Sequence, residues 1–108
     1  MGFFYNVKGS SVVGGQETTE LVAPNFAYNV RSLLITNVRD STAATITLFI
    51  QNDPTDAATN TYKIINSVVI PAGSALSFEQ PLIFRVPEEY GLYITVGSSD
   101  ILDVIVNT

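Results

Sequence analysis

The side chains that could do chemistry in this sequence are mainly carboxylates, because the chain contains neither cysteine nor histidine. Two acidic groupings stand out, Glu88-Glu89 and the pair formed by Asp100 and Asp103. Paired carboxylates are what glycoside hydrolysis uses, one as the acid and the other as nucleophile or base. Adjacent strand residues point to opposite faces, however, and both groupings lie beside turn formers. We interpret them as solvated loop acids and expect no catalytic site.

A loop rich in oxygen donors raises the question of cation binding. Asn52, Asp53 and Asp56 lie in residues 52–60, the longest polar stretch, and such oxygens suit calcium. Their spacing does not follow the Asp-x-Asp-x-Asp-Gly loop, and turn formation explains these residue types without a metal. Transition metals lack their usual thiolate and imidazole ligands. We predict no metal and no cofactor, and an exposed loop at the tip of the domain.

The charge balance restricts the partners. Ten acidic and five basic residues give a formal charge of −5 at pH 7, which repels phosphate backbones and anionic lipid head groups. No apolar run reaches the length of about 18 residues that a membrane span needs, and no basic leader precedes one. The chain also has no Gly-x-Ser-x-Gly nucleophile motif. We expect a non-enzymatic protein made in the cytoplasm, without nucleic-acid or membrane partners.

The hydrophobic pattern predicts the fold. Apolar and polar residues alternate with period 2 through most of the chain, and helical periodicity is absent apart from a single turn at residues 87–90. About eight short strands, separated by turn signals every 8 to 12 residues or so, predict an all-β antiparallel sandwich of jelly-roll or Greek-key type. Two of the predicted turns are Pro71-Ala72-Gly73-Ser74 and Gly97-Ser98-Ser99-Asp100. With 108 residues, 46% of them apolar, the chain is long enough for one core and is predicted to be a single domain, residues 1–108.

The stretch on which this fold is built is residues 32–51. Two strand-like runs, 33–38 and 44–51, flank the turn formers Arg39-Asp40-Ser41-Thr42. This linker is too short for a parallel crossover, so the pattern predicts an antiparallel hairpin. The alternation also assigns side chains to one common core: Ile46, Leu48, Leu92, Ile94, Leu102 and Val104.

The aromatic residues fall into separate groups. Phe78 and Phe84 lie on predicted core faces, whereas Tyr93 falls on the face opposite Leu92 and Ile94. A tyrosine outside the core could bind a sugar or a protein neighbour, although one tyrosine on a strand face is ordinary.

The N-terminal aromatic residues Phe3, Phe4 and Tyr5 precede Gly9-Ser10-Ser11, which reads as a flexible joint. Apolar side chains at a chain end are exposed unless something covers them. Either these residues form the first strand of their own sandwich, or residues 1–11 form an extended arm that adds a strand to a neighbour. The second alternative makes Phe3, Phe4 and Tyr5 the predicted partner-binding residues, and both alternatives stay open at this point.

A series of short motifs links residues 18–108 to a known group of proteins. In chain order they are Thr18-Thr19-Glu20-Leu21-Val22-Ala23-Pro24, Leu33-Leu34-Ile35-Thr36-Asn37, Ala43-Ala44-Thr45-Ile46-Thr47-Leu48, Tyr62-Lys63-Ile64, Ile70-Pro71-Ala72-Gly73-Ser74 and Gly91-Leu92-Tyr93-Ile94. In these features the chain resembles small all-β virion proteins of tailed bacteriophages, of the marine and cyanobacterial structural or capsid-decoration type. It departs from them at Phe3-Phe4-Tyr5 and at Pro87-Glu88-Glu89.

The resemblance implies a virion structural protein without catalytic residues. Its expected role is a head decoration or cement protein on the capsid surface, binding the major capsid protein and copies of itself as a homo-oligomer such as a trimer. A neck or tail component is the rival within the same class. A carbohydrate-binding β-sandwich module is the rival from another class, and an exposed aromatic platform or a calcium site would distinguish it.

Overall fold

A computed structural model describes residues 2–9, 15–22, 30–51, 61–79 and 90–107. These residues contain eight β-strands and no helix, so the all-β prediction is confirmed. The strands are β1 (Gly2–Lys8), β2 (Gln16–Val22), β3 (Ser32–Asn37), β4 (Ala44–Gln51), β5 (Thr61–Ile70), β6 (Ala75–Phe78), β7 (Gly91–Gly97) and β8 (Ile101–Asn107).

The strands form two four-stranded sheets, in the order β1-β8-β3-β6 (sheet A) and β2-β7-β4-β5 (sheet B). Within each sheet, every pair of neighbouring strands is antiparallel. Among the described strands, β4 and β5 are the one pair consecutive in sequence that also share a sheet. A chain that changes sheet at nearly every connection, with this strand order, has jelly-roll connectivity. The predicted antiparallel sandwich is confirmed. Of the two predicted types, jelly roll and Greek key, the strand order matches the jelly roll.

The predicted hairpin of residues 32–51 is wrong. β3 pairs with β6 and β8 in sheet A, whereas β4 pairs with β5 and β7 in sheet B. The linker between them passes from one sheet to the other. Alternation specifies which face of a strand is buried but not which strand lies beside it, and a short polar linker fits both geometries. β3 and β4 therefore bury their apolar faces in the same core from opposite sheets.

Asn37 shows how the chain makes this crossing. It lies at the end of β3 and is fully buried. Its amide group donates to the carbonyl oxygens of Thr42, at 2.8 Å, and Ile70, at 3.0 Å, while its Oδ1 accepts the Arg39 N–H at 3.1 Å. These bonds satisfy the buried amide and tie the linker to the end of β5. The linker is thus held by one buried amide.

The core lies between the two sheets, as the alternation predicts. Its predicted members are all 0% exposed: Ile46, Leu48, Leu92, Ile94, Leu102 and Val104. Both sheets contribute to this one cluster. Burial of an aliphatic side chain of this size contributes about 1.5 to 3 kcal/mol, so the inner faces supply most of the stabilisation. Phe78 packs against the cluster while half-buried, consistent with its predicted core face.

Two predicted turns take part in the crossings between sheets. In the turn after β5, the Ser74 N–H donates to the Pro71 carbonyl at 3.1 Å, and Gly73 has a φ of 71° that glycine adopts without strain. In the turn between β7 and β8, the Asp100 N–H donates to the Gly97 carbonyl at 3.3 Å. Both turns lie where the sequence places them.

Some predictions fall outside the described residues. These are the exposed loop at 52–60 with its candidate calcium ligands, the core position of Phe84, the acids Glu88 and Glu89, and all but the last residue of the helical turn at 87–90.

Candidate functional site on the outer faces

The predicted partner-binding residues lie in β1, an edge strand of sheet A that pairs with β8. In the structure, residues 2–8 form a strand of their own sandwich, which is the first of the two alternatives for this segment. Alternation along β1 divides the three aromatic residues. Phe3 and Tyr5 are half-buried and pack against the core, whereas Phe4 points outwards and is 76% exposed. Phe4 is therefore the member of the trio that a partner could reach most easily.

Tyr5 has a structural role. Its hydroxyl group donates to the Leu21 carbonyl oxygen at 2.5 Å, which ties β1 of sheet A to β2 of sheet B. Burial, and secondarily the negative charge of Glu20, raise the pKa of Tyr5 above its usual value. The neutral, hydrogen-bonding form of Tyr5 is therefore favoured in the folded protein.

The end of β1 is anchored as firmly as its middle. Val7 is 1% exposed. The Gly9 N–H donates to the Asp100 carbonyl at 2.7 Å, and a Cβ atom at Gly9 would lie 1.8 Å from the Gly97 carbonyl oxygen. Gly9, the first residue of the predicted flexible joint, is thus a point of close backbone packing, while Ser10 and Ser11 lie outside the described residues.

Phe4 belongs to a row of apolar side chains across the outer face of sheet A. It lies opposite Ile105 on β8, and Ile105 lies opposite Leu34 on β3. Leu34 is 36% exposed and Ile105 is half-buried. We call Phe4, Ile105 and Leu34 the apolar row. A shallow depression of about 260 Å³ lies beside it, next to Asn6 and Asp103.

A second apolar group lies at the other end of the same face. Ile101 and Val38 are 38% and 42% exposed, and the Val38 N–H donates to the Ile101 carbonyl at 3.3 Å. Between this pair and the apolar row lie Asn6, Asp103 and Thr36, opposite one another on adjacent strands. The outer face of sheet A thus presents two apolar zones separated by a polar one.

The outer face of sheet B is mostly polar. Its hydroxyl and amide side chains bond to one another across strands: the Thr18 and Thr95 hydroxyls lie 2.9 Å apart, and the Thr61 hydroxyl donates to Gln51 Oε1 at 3.0 Å. These groups are exposed or half-buried. This face is therefore suited to hydrogen-bonding ligands rather than to an apolar contact.

An aromatic pair lies in the middle of this polar face. Phe49 on β4 and Tyr93 on β7 are directly opposite and stack with ring centroids 5.6 Å apart and planes inclined by 17°. The Tyr93 hydroxyl donates to Glu20 Oε2 at 3.3 Å. Tyr93 points away from the core as predicted, yet it is only 6% exposed. Phe49 is half-buried and lines a depression of about 300 Å³.

The predicted loop acids have two different environments. Asp103 is exposed on β8, as predicted. Asp100 is 6% exposed, and its Oδ2 accepts the N–H groups of Gly97 at 2.9 Å and Thr45 at 3.3 Å. The interpretation of Asp100 as a solvated acid is wrong, because one backbone donor from the turn and one from β4 converge on its buried carboxylate. Asp100 holds the turn between β7 and β8 against β4.

No cluster of metal ligands is found in the described parts of the chain. Within them, no three histidine, cysteine, aspartate or glutamate side chains converge on a common point. A helix long and apolar enough to cross a membrane is likewise not found there.

Sequence reasoning missed most of the apolar row and the aromatic pair, although both left signals. Leu34 lies within an uninterrupted apolar run, so both faces of β3 are apolar at that point. Ile105 is an aliphatic residue on the polar side of β8, and Phe49 interrupts the polar side of β4. Apolar residues on an otherwise polar strand face are the sequence feature that indicates such surface groups.

No protein-family model matches the sequence. A search of the curated proteins also finds no match. The class that the structure defines is an antiparallel β-sandwich with jelly-roll connectivity and two chemically different outer faces.

Proposed function

We propose that the chain is a non-enzymatic structural protein of a bacteriophage virion, a head decoration protein that binds the major capsid protein lattice and stabilises the capsid. The sequence motifs of residues 18–108 suggest the class. The observation that carries the proposal is the apolar row on the outer face of sheet A, with Phe4 76% exposed.

The apolar row differs from ordinary surface apolar residues by its continuity. Single exposed apolar side chains are common on protein surfaces, but Phe4, Ile105 and Leu34 occupy one line across three adjacent strands. Contiguous apolar groups with a polar border are typical of protein contact sites. Asn6, Asp103 and Thr36 supply such a border on one side.

A modest contact of this kind is enough on a repetitive surface. Burying one phenylalanine side chain contributes about 1.5 to 3 kcal/mol. Copies of the protein that associate in a symmetric oligomer, for example a trimer, engage several lattice sites at once, which raises the effective concentration of each later contact. Stable occupancy of the virion surface follows without tight binding by one copy.

The test is a substitution of Phe4 measured on virus particles assembled without the protein. Phe4→Ser removes the exposed ring, and we expect few bound copies per particle with an almost unchanged melting temperature. The matched control is Val69→Ser, because Val69 is 57% exposed on the outer face of sheet B. Deletion of residues 1–8 is a poor test, since it also removes the buried Val7 and the hydrogen bond of Tyr5.

Full occupancy by the Phe4→Ser protein, equal to that of Val69→Ser, would show that another surface attaches the chain. Gold-labelled antibodies against the protein then locate it on intact virions. Label on the whole head agrees with decoration, whereas label confined to the neck or tail favours the rival structural role.

A further inference from the structure

We propose that the outer face of sheet B is a binding site for a neutral sugar, seated in the depression beside Phe49. This site is independent of the apolar row, which lies on the other sheet. It gives the chain a second surface, one able to hold a glycan while sheet A contacts a protein.

The aromatic pair supplies the apolar half of the site. Phe49 lines the depression, and its ring stacks on Tyr93, which in turn donates a hydrogen bond to Glu20. The C–H groups on one side of a pyranose ring form an apolar surface that packs on such a ring, while its hydroxyl groups stay at the edge. Because the hydrogen bond to Glu20 fixes the Tyr93 ring, Tyr93 in turn supports the Phe49 ring that stacks on it.

The polar half of the site consists of neutral groups and one lysine. Hydroxyl and amide side chains surround the depression, and they include Gln16, Thr47, Gln51, Thr61, Asn66 and Thr95. Hydroxyls and amides both donate and accept hydrogen bonds, as sugar hydroxyls require. Lys63 is the one charged side chain in the described lining. A single cation is a weak match for a polyanion, so the lining favours an uncharged ligand.

The size and backbone of the depression support a small ligand. About 300 Å³ is at the lower end of the range for small-molecule sites, which fits one or two sugar rings. The register of β5 shifts opposite Thr47, where Ser67 has a φ of 53°. Its N–H is thereby directed to the Thr47 hydroxyl at 3.1 Å. Bulges of this kind commonly occur beside binding sites, where they redirect side chains.

The test is an NMR titration of the ¹⁵N-labelled full chain with glucose, galactose, mannose and N-acetylglucosamine, each used separately. We expect at least one of them to produce saturable shifts of the backbone amides of Thr47, Phe49, Tyr93 and Thr95. Phe49→Leu keeps an apolar side chain but removes the ring, and we expect it to weaken the binding of that sugar about tenfold, or about 1.4 kcal/mol. Phe4→Ser should bind the sugar as the parent protein does.

Two further measurements keep the result interpretable. A thermal unfolding curve for Phe49→Leu establishes that the variant is folded. If it is not, Gln51→Leu replaces it, since Gln51 also lines the depression. This variant is expected to show the same loss of affinity, and unchanged affinity would likewise overturn the proposal. The proposal is overturned if none of the four sugars shifts these amides, if the shifts map to sheet A, or if the folded Phe49 variant binds as tightly as the parent. Failure here leaves the particle-binding test of Phe4 untouched, because the two tests use different faces.

Discussion

The two outer faces of this sandwich differ although the two inner faces are alike. Inside, both sheets contribute fully buried aliphatic side chains to one cluster. Outside, sheet A presents the apolar row and the pair Ile101 and Val38, whereas sheet B presents hydroxyls and amides that bond to each other around an aromatic stack. The core constrains which residues point inwards and leaves the outward positions free to vary. Each face can therefore serve a different contact.

The residues that stabilise the two sheets are different from the residues exposed on their outer faces. Leu48 and Asp100 are buried and connect elements of both sheets. Phe4 and Leu34 are exposed and make no comparable contribution to the core. Substitutions of the first group should change stability, and those of the second should change binding.

The largest effect is expected at the shared core. Leu48→Ala on β4 removes a fully buried side chain and should lower the free energy of unfolding by about 2 to 5 kcal/mol. Leu34→Ala, the same substitution on the outer face of sheet A, should cost less than about 1 kcal/mol. Denaturant unfolding monitored by circular dichroism measures both. An equal loss for the two variants would mean that the outer face of sheet A belongs to the core after all.

A smaller effect is expected where the chain crosses between the sheets. Asp100→Ala leaves the N–H groups of Gly97 and Thr45 without their carboxylate partner, and an unsatisfied buried group costs about 1 to 3 kcal/mol. The control is Asp103→Ala, because Asp103 lies three residues further along the chain, in β8, and is exposed. Melting temperatures of the two variants give the comparison. If Asp103→Ala is the more destabilising, the turn is not held as described.

The next effect concerns the hydrogen bond that joins the sheet edges. Tyr5→Phe loses the bond to Leu21 and should cost about 0.5 to 1.5 kcal/mol. Because the pKa of Tyr5 is raised in the folded protein, its contribution is fully present below the ordinary tyrosine pKa of about 10. It is lost as the pH rises through the higher folded-state pKa. Stability measured from neutral to alkaline pH should therefore fall less steeply in Tyr5→Phe than in the parent protein. Parallel curves would contradict this role for Tyr5.

The smallest effect is expected on the outer face of sheet B. Thr18→Val removes the exposed hydroxyl contact with Thr95, and surface substitutions of this kind usually change stability by no more than about 0.5 kcal/mol. Its thermal unfolding should match that of the parent protein closely. A loss of several degrees would show that the polar network stabilises sheet B, in which case it is less available to a ligand.

Much of the secondary structure could be predicted from the sequence. Side chains such as Ile46 and Ile94 alternate with more polar neighbours, and period 2 in a strand directly specifies the buried face. The turns at residues 71–74 and 97–100 carry glycine or proline where the backbone bends, so local chemistry was sufficient to place them. The fold class followed from the number and spacing of these elements.

What the sequence determined by itself was therefore local: which residues form strands, which of their faces are buried, and where the chain turns. Tertiary structure alone decided which strands are neighbours, because β3 and β4 are separated by a linker that suits a hairpin and a crossing between sheets equally well. It also decided the burial of Tyr93 and Asp100, whose covering groups come from other strands or from a folded turn. The apolar row exists only through the register that aligns Phe4 with Ile105 and Leu34, and register between strands distant in sequence is a property of the packed sheets.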